Sequence, residues 1–297
     1  MPQALRLALN ADTTPLAISD TLLFKSFEER AREAADACYP AVNLDRQEGL
    51  TPQRALEIAS RLGLEIASGF FHAHFHLAEQ ESAILADARA QAEFSRAAGQ
   101  DCLFVSAYVS PPERHALAGR IRPDTETALS QREFERMARM LDKIARLWKS
   151  YGITLCFHPH VATYIEAPHE IDRLMEATDP GLVLLGPDTG HLFYGGGDPL
   201  PLIERYLNRM GSLHIKDVRR EIVDKARRER LDYRQACALG VWTELGRGDI
   251  DFPALFSLLR EKKWGGWVIV ETDHTSLPTA LDSSLASRRY LHDQIGL

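Results

Sequence analysis

Short apolar runs that end in an acid or a histidine recur along this chain, and the segments between them carry helical periodicity. His158 and His160 follow ITLCF. Asp188 and His191 close LGPDTGH. His214 leads Lys216 and Asp217 in HIKD, and Glu271 ends WVIVE. Strand-like runs separated by helical segments point to parallel strands of an α/β protein. If the sheet closes on itself, strand-end residues converge at the C-terminal mouth, where barrel enzymes carry their chemistry.

The alternation predicts eight strands: 5–10, 41–44, 65–71, 102–108, 153–157, 182–188, 212–217 and 266–271. Helices fall between them. One starts with Thr51 as N-cap and Pro52 at the first helical position, and stops at Gly63. REFERMARMLDKIARLWKSYG is strongly amphipathic, and residues 280–293 form a closing helix. The polar stretch 109–130 is expected to be a long loop at the mouth, and 218–249 a long excursion. The expected fold class is α/β, a TIM (β/α)8 barrel, with residues 1–297 as a single domain. An open doubly wound sheet is the alternative, but the chain has neither G-x-G-x-x-G after its first strand nor a P-loop.

A net charge of -7 argues against a nucleic-acid partner, which calls for a basic face. The arginine-rich segment 219–230 is read as a solvated helix or loop first, and as an anion or partner patch second. The four cysteines form no close pair, so no zinc knuckle or disulfide framework is indicated. Cys102 and Cys156 lie in apolar runs as buried thiols. With no secretory signal or membrane-length apolar stretch in the sequence, a cytoplasmic enzyme is expected.

Asp188, His214 and Glu271 form a mixed oxygen and imidazole set suited to Mn, Co, Zn or Fe. His158 is the first choice for a fourth ligand, and Glu166 competes if its loop folds back. His160, two residues beyond His158, faces the same way and can protonate a departing oxygen or orient a substrate. His191 can bind a second metal or hold a ligand carboxylate. Lys216 can stabilise an enolate oxygen or act as a base, while Asp217 faces the opposite way, toward the barrel wall. His72, His74 and His76 have period two, with His74 and His76 favoured at the mouth. GHLFYGGGD and TELGRGDID are read as tight turns first, although Glu244, Arg247 and Asp249 are placed to approach the site.

FHPHVATYIE, LLGPDTGHLFYGGGDPL, LHIKDVR, ELGRGDIDF and GWVIVETD together make the sequence resemble the xylose-isomerase-like TIM barrels, the superfamily of sugar phosphate isomerase/epimerases. The HPH segment and the 235–251 loop are most similar to the inosose dehydratases. The resemblance implies one divalent metal at the mouth, manganese or cobalt first, with zinc, iron or magnesium as the other choices. Asp188, His214 and Glu271 inherit three ligand positions, and His158 stands where epimerases carry glutamate. The implied activity is a metal-dependent dehydratase, a carbon–oxygen lyase, acting on a keto-sugar or keto-inositol through an enediolate. Glu271 or Lys216 would serve as base, and His160 or His74 as acid. The alternative is a metal-dependent keto-sugar isomerase or epimerase. The resemblance also implies a homo-oligomer, with 218–235 as a candidate contact.

Overall fold

The computed structural model describes residues 4–16, 25–107, 112–125 and 128–297. Eight parallel strand positions succeed one another around a closed barrel. They are β1 (Leu5–Asn10), β2 (Ala41–Asn43), β3 (Glu65–Ala67 continued by Gly69–Ala73), β4 (Cys102–Ala107), β5 (Thr154–Phe157), β6 (Val183–Leu185), β7 (Ser212–Ile215) and β8 (Gly266–Glu271). β1 pairs with both β2 and β8, and β8 with β7. The two halves of β3 pair with β2 and β4 in turn, and β4, β5 and β6 follow in order. Bridges Leu185↔Met210 and Asp188↔His214 close the ring between β6 and β7.

The helices that wrap the ring are α1 (Phe27–Asp36), α2 (Pro52–Arg61), α3 (Glu81–Ala97), α4 (Gln131–Lys149), α5 (Pro168–Ala177), α6 (Pro199–Tyr206), α7 (Phe252–Glu261) and α8 (Ala280–Tyr290). Local sequence fixes their ends. Ser130 and Glu133 form a capping box on α4, and Thr51 with Pro52 opens α2. α4 buries Phe134, Met137, Leu141, Ile144 and Trp148 on one face, and the Trp148 Nε1–H donates to the Ala88 carbonyl at 2.8 Å. Full burial of one such side chain stabilises by roughly 1.5–3 kcal/mol.

Inside the ring a smaller core packs Ala8, Ala41 and Ala67 against Phe70, Phe104, Cys156, Leu184, Trp267 and Ile269. At its base Arg6 lies 3.7 Å over the Trp267 ring and pairs with Asp101 and Glu65. Strand alternation puts the next inward layer above this plug. Ala8, Ala41, Cys156 and Ile269 are therefore followed two residues later by Asn10, Asn43, His158 and Glu271. Two glycines permit the tight packing. A Cβ on Gly186 would lie 2.7 Å from the Phe104 ring, and one on Gly69 only 1.9 Å from the Leu44 carbonyl oxygen.

Three expectations are corrected. The sixth strand ends at Leu185, and GHLFYGGGD is no simple turn, because Thr189–Tyr194 is a short helix capped by Asp188. The 109–130 stretch contains a helix, Pro112–Ala116, while 108–111 and 126–127 lie outside the described residues. Segment 219–230 is a helix, one of the two forms first expected, Arg220–Glu229, but it is not freely solvated: flanking Arg219 and inner Arg227 bind backbone carbonyls of Gly240, Gly119 and Tyr194. Among the described residues no helix is long and apolar enough to cross a membrane.

Candidate metal centre

Asp188, His214 and Glu271 meet at the mouth, with one ligand atom from each lying within 4.8 Å of the others. His214 reaches this point from β7, Glu271 from the last residue of β8, and Asp188 from the N-cap that follows β6. The His214 Nδ1–H donates to Glu271 Oε2 at 2.5 Å, and the same nitrogen is 3.9 Å from Asp188 Oδ2. The Phe104 ring supports His214 from below, with centroids 4.2 Å apart. Asp188 Oδ1 accepts the His191 backbone N–H. Asp188 Oδ2 and His214 Nε2 are buried and have no hydrogen-bond partner among the described residues. Buried polar atoms are rarely left so, because desolvation without a partner is costly. A hard divalent cation suits this donor set and answers the orphaned oxygen.

A second trio shares Asp188 and consists of His158, Asp188 and His191. His158 donates Nδ1–H to the Gly186 carbonyl at 3.1 Å and packs 5.1 Å from His214. It therefore flanks the cluster. His191 Nε2 accepts from Lys216 Nζ at 3.1 Å. Burial together with the Lys216 ammonium and the neighbouring imidazoles keeps His191 neutral.

Lys216 is buried within a ring of carboxylates: Asp273 at 2.7 Å, Glu271 at 3.5 Å and Asp188 at 3.8 Å. Burial disfavours its charge, but the three carboxylates together raise its pKa above that of a free lysine. These contacts favour its ammonium form and suit the first of the two roles expected for it, stabilising an enolate oxygen. Glu271 is driven the other way. Burial opposes its charge, but Lys216 and His214 hold it ionised. Burial pushes Asp188 up to about 6 despite Lys216. His160 is depressed to about 4 by burial and then by Lys216. Its Nδ1–H donates to the Val161 carbonyl, and its ring lies 3.7 Å from His191.

The cluster opens into a cavity of about 410 Å³ whose lining includes His158, His160, Glu271, Asp273, Phe70 and His72. His74 is not in that lining. The strand ends at Ala73 and the chain turns, so His74 packs beside His76, and His76 against Tyr164. The expectation that three period-two histidines share one face fails for that reason, and His72 is the one that faces the cavity. Glu166 is not at the centre either, since its two oxygens accept the Gly119 and Ala162 backbone N–H groups. Asp217 and Glu244 are also structural. Asp217 collects four backbone N–H groups, and Glu244 accepts from Thr275 and Ser283. Sequence reasoning missed Asn10, Asp12, Asp45 and Asp273, which also line the cavity. Their signal was the one used elsewhere: a polar side chain just past a strand.

Residues 24–292 match the family model described as xylose isomerase-like TIM barrel. The chain is 35% identical over 243 residues to an inosose dehydratase of Geobacillus kaustophilus, covering 81% of this chain and 78% of that protein. Two solved structures are similar in fold. One is the probable 3-DHS dehydratase AsbF of Bacillus anthracis, with TM-score 0.72 and 14% identity over 98% of this chain and 100% of that one. The other is the IOLI protein with a bound zinc atom, with TM-score 0.68 and 14% identity over 97% of both chains.

Proposed function

The chain is an enzyme of the xylose isomerase-like TIM-barrel family, and on that footing we propose that it is a divalent-metal-dependent dehydratase acting on a polyhydroxy ketone such as an inosose. The observation that carries this reading is the buried Asp188–His214–Glu271 trio with its orphaned oxygen, set beside the buried Lys216 at the end of a substrate-sized cavity. The zinc of the IOLI protein and the name of the Geobacillus relative support it. Manganese or cobalt are the first choices of metal, with zinc, iron or magnesium behind them.

Asp188, His214 and Glu271 would hold the cation, with His158 as the fourth candidate ligand. A divalent cation there would supply Lewis-acid polarisation of the ketone and so lower the cost of removing the neighbouring proton. Lys216 places positive charge 3.5 Å from Glu271, where an enediolate oxygen gains charge. Of the two bases expected, Lys216 takes the charge-stabilising role, and Glu271 takes the proton in this reading. Asn10 orients it by donating Nδ2–H to Oε1 at 2.8 Å. His160 has Nδ1–H committed to Val161, so its Nε2 can take up the proton that Glu271 removes from carbon and deliver it to the departing β-hydroxyl. One proton leaves carbon and one hydroxide leaves the adjacent carbon, so the net loss is water.

The test uses metal-stripped protein reloaded with Mn²⁺ or Co²⁺ and offered keto-inositols and ketoses. Metal-dependent appearance of an absorbing unsaturated or diketone product is expected. Solvent deuterium entering an isomeric ketose without loss of water would replace the lyase by an epimerase. Failure to turn over any of them with any metal would remove both.

A further inference from the structure

β1 and β2 end alike, with Asn10-Ala11-Asp12 on one and Asn43-Leu44-Asp45 on the other. Strand alternation turns both aspartates toward the mouth. Between them stands Arg30 of α1, only 1% exposed, whose Nη1 donates to Asp12 Oδ2 at 2.9 Å and to Asp45 Oδ2 at 2.6 Å. Its Nε and Nη2 are buried without a partner among the described residues. The carboxylates keep 28% and 27% of their surface open, and all three residues line the cavity that holds His158 and Glu271. Asp45 is further fixed by the Phe70 backbone N–H at 2.8 Å. Asn10 lines the same cavity, and its Oδ1 is buried and unpartnered among the described residues. His72 lines the same cavity, together with Asp45 and Glu271.

The charge balance there selects a ligand class. Each cation of the lining already has an acid: Lys25 pairs with Glu33 at 2.6 Å, Arg30 with its two aspartates, and Arg46 with Asp87. The stretches outside the described residues contain no lysine, arginine or histidine. This end of the cavity therefore offers carboxylate acceptors to hydroxyl donors, and the charge of each cation there is already matched by an acid.

We propose that Asp12 and Asp45, positioned by Arg30, form a second recognition subsite that grips a vicinal pair of hydroxyls on a neutral cyclic polyol, away from the carbons that react. The subsite rests on the dehydratase reading for which carbons react, but binding of an unreactive polyol tests it separately.

The experiment is calorimetry and thermal shift of the full Mn²⁺-loaded chain with myo-inositol, a deoxy-inositol, an inositol phosphate and quinate. Wild type is expected to bind myo-inositol. Asp45→Asn and Asp12→Asn should each weaken it by about 10-fold or more, the effect of a hydrogen bond to a charged group. The deoxy-inositol lacking one gripped hydroxyl should bind weakly and equally to wild type and variant. Should Asp45→Asn fail to melt cooperatively, Asp12→Asn, which breaks a single contact of Arg30, carries the result. The subsite is overturned if wild type binds no polyol, if both variants bind myo-inositol as wild type does, or if the charged rings bind tighter than the neutral one. Polyol binding that depends on Asp12 and Asp45 with no dehydration of keto-inositols would sink the dehydratase and leave the subsite standing. Dehydration with unchanged KM in both variants would do the reverse.

Discussion

Asp188 and Asp217 are both fully buried, each near the C-terminal end of the barrel, yet they sit in opposite surroundings. Asp217 receives the backbone N–H groups of Val218, Gly246, Gly248 and Ile250 at 2.9–3.2 Å. Asp188 receives one, from His191, and its other oxygen has no hydrogen-bond partner among the described residues, with Lys216 at 3.8 Å. Burial alone therefore says nothing about role. A saturated carboxylate organises the 244–250 loop, and an unsaturated one is built for something that arrives later. Four donors offset much of the desolvation that raises the pKa of Asp217. At Asp188 desolvation prevails over Lys216 and His214.

The largest test of this contrast is Asp188→Ala. Loss of a ligand from the cluster should reduce turnover by about a hundred- to a thousand-fold, the range assigned to removing charge stabilisation from a transition state. The metal-free fold should lose only about 1 kcal/mol, the usual cost of a helix cap, and the rise in melting temperature on adding Mn²⁺ should vanish. Asp217→Ala should do the opposite. It strands four buried N–H groups and should destabilise by about 4 kcal/mol or more, with turnover per folded molecule within a few fold of wild type. Urea titration and single-turnover rates separate the two. Equal stability losses in both variants would erase the distinction.

Gly248→Ala probes the same loop more gently. Its new Cβ would lie 2.4 Å from Asp217 Oδ1 and 2.5 Å from the Val218 carbonyl oxygen, so the backbone must shift. Overpacking of this kind typically costs about 1–3 kcal/mol. A denaturation midpoint matching wild type would show that the loop is less tightly held than its hydrogen bonds imply.

The ring of strands was legible because a parallel barrel writes one apolar run per strand, and all eight runs contain a strand of the structure. Asp188, His214 and Glu271 were legible because each follows such a run. Roles were harder. Strand alternation already turned Asp217 away from the site, but Glu244 resembles a site residue in sequence, and the remote Thr275 and Ser283 hydroxyls that consume it have no sequence signature. His74 was misplaced because its side-chain period holds only while the strand lasts, and the strand stops at Ala73. Asp12 and Asp45 were overlooked because the N-terminal strands lack histidine, although a carboxylate two residues past Asn10 or Asn43 obeys the same geometry.

Glu166 lies between the two extremes and gives the smallest expected effect. It is buried, and each oxygen accepts one backbone N–H at 2.7 Å, from Gly119 and Ala162. Two donors do not match the desolvation, and burial pushes its pKa up to about 7. The folded state thus holds this proton over a range where the unfolded chain has released it. Its contribution to stability is greatest below the ordinary carboxylate pKa, falls as pH rises toward 7, and levels off above that. Glu166→Gln has no proton to lose, so its stability relative to wild type should improve between pH 5 and pH 8. One pKa unit is worth about 1.4 kcal/mol, so the relative gain is on the order of 2 kcal/mol. Melting curves of both proteins across that range measure it. A constant difference would mean that Gly119 and Ala162 satisfy this carboxylate as fully as the 244–250 loop satisfies Asp217. The number of donors would then not be what separates a structural acid from a waiting one.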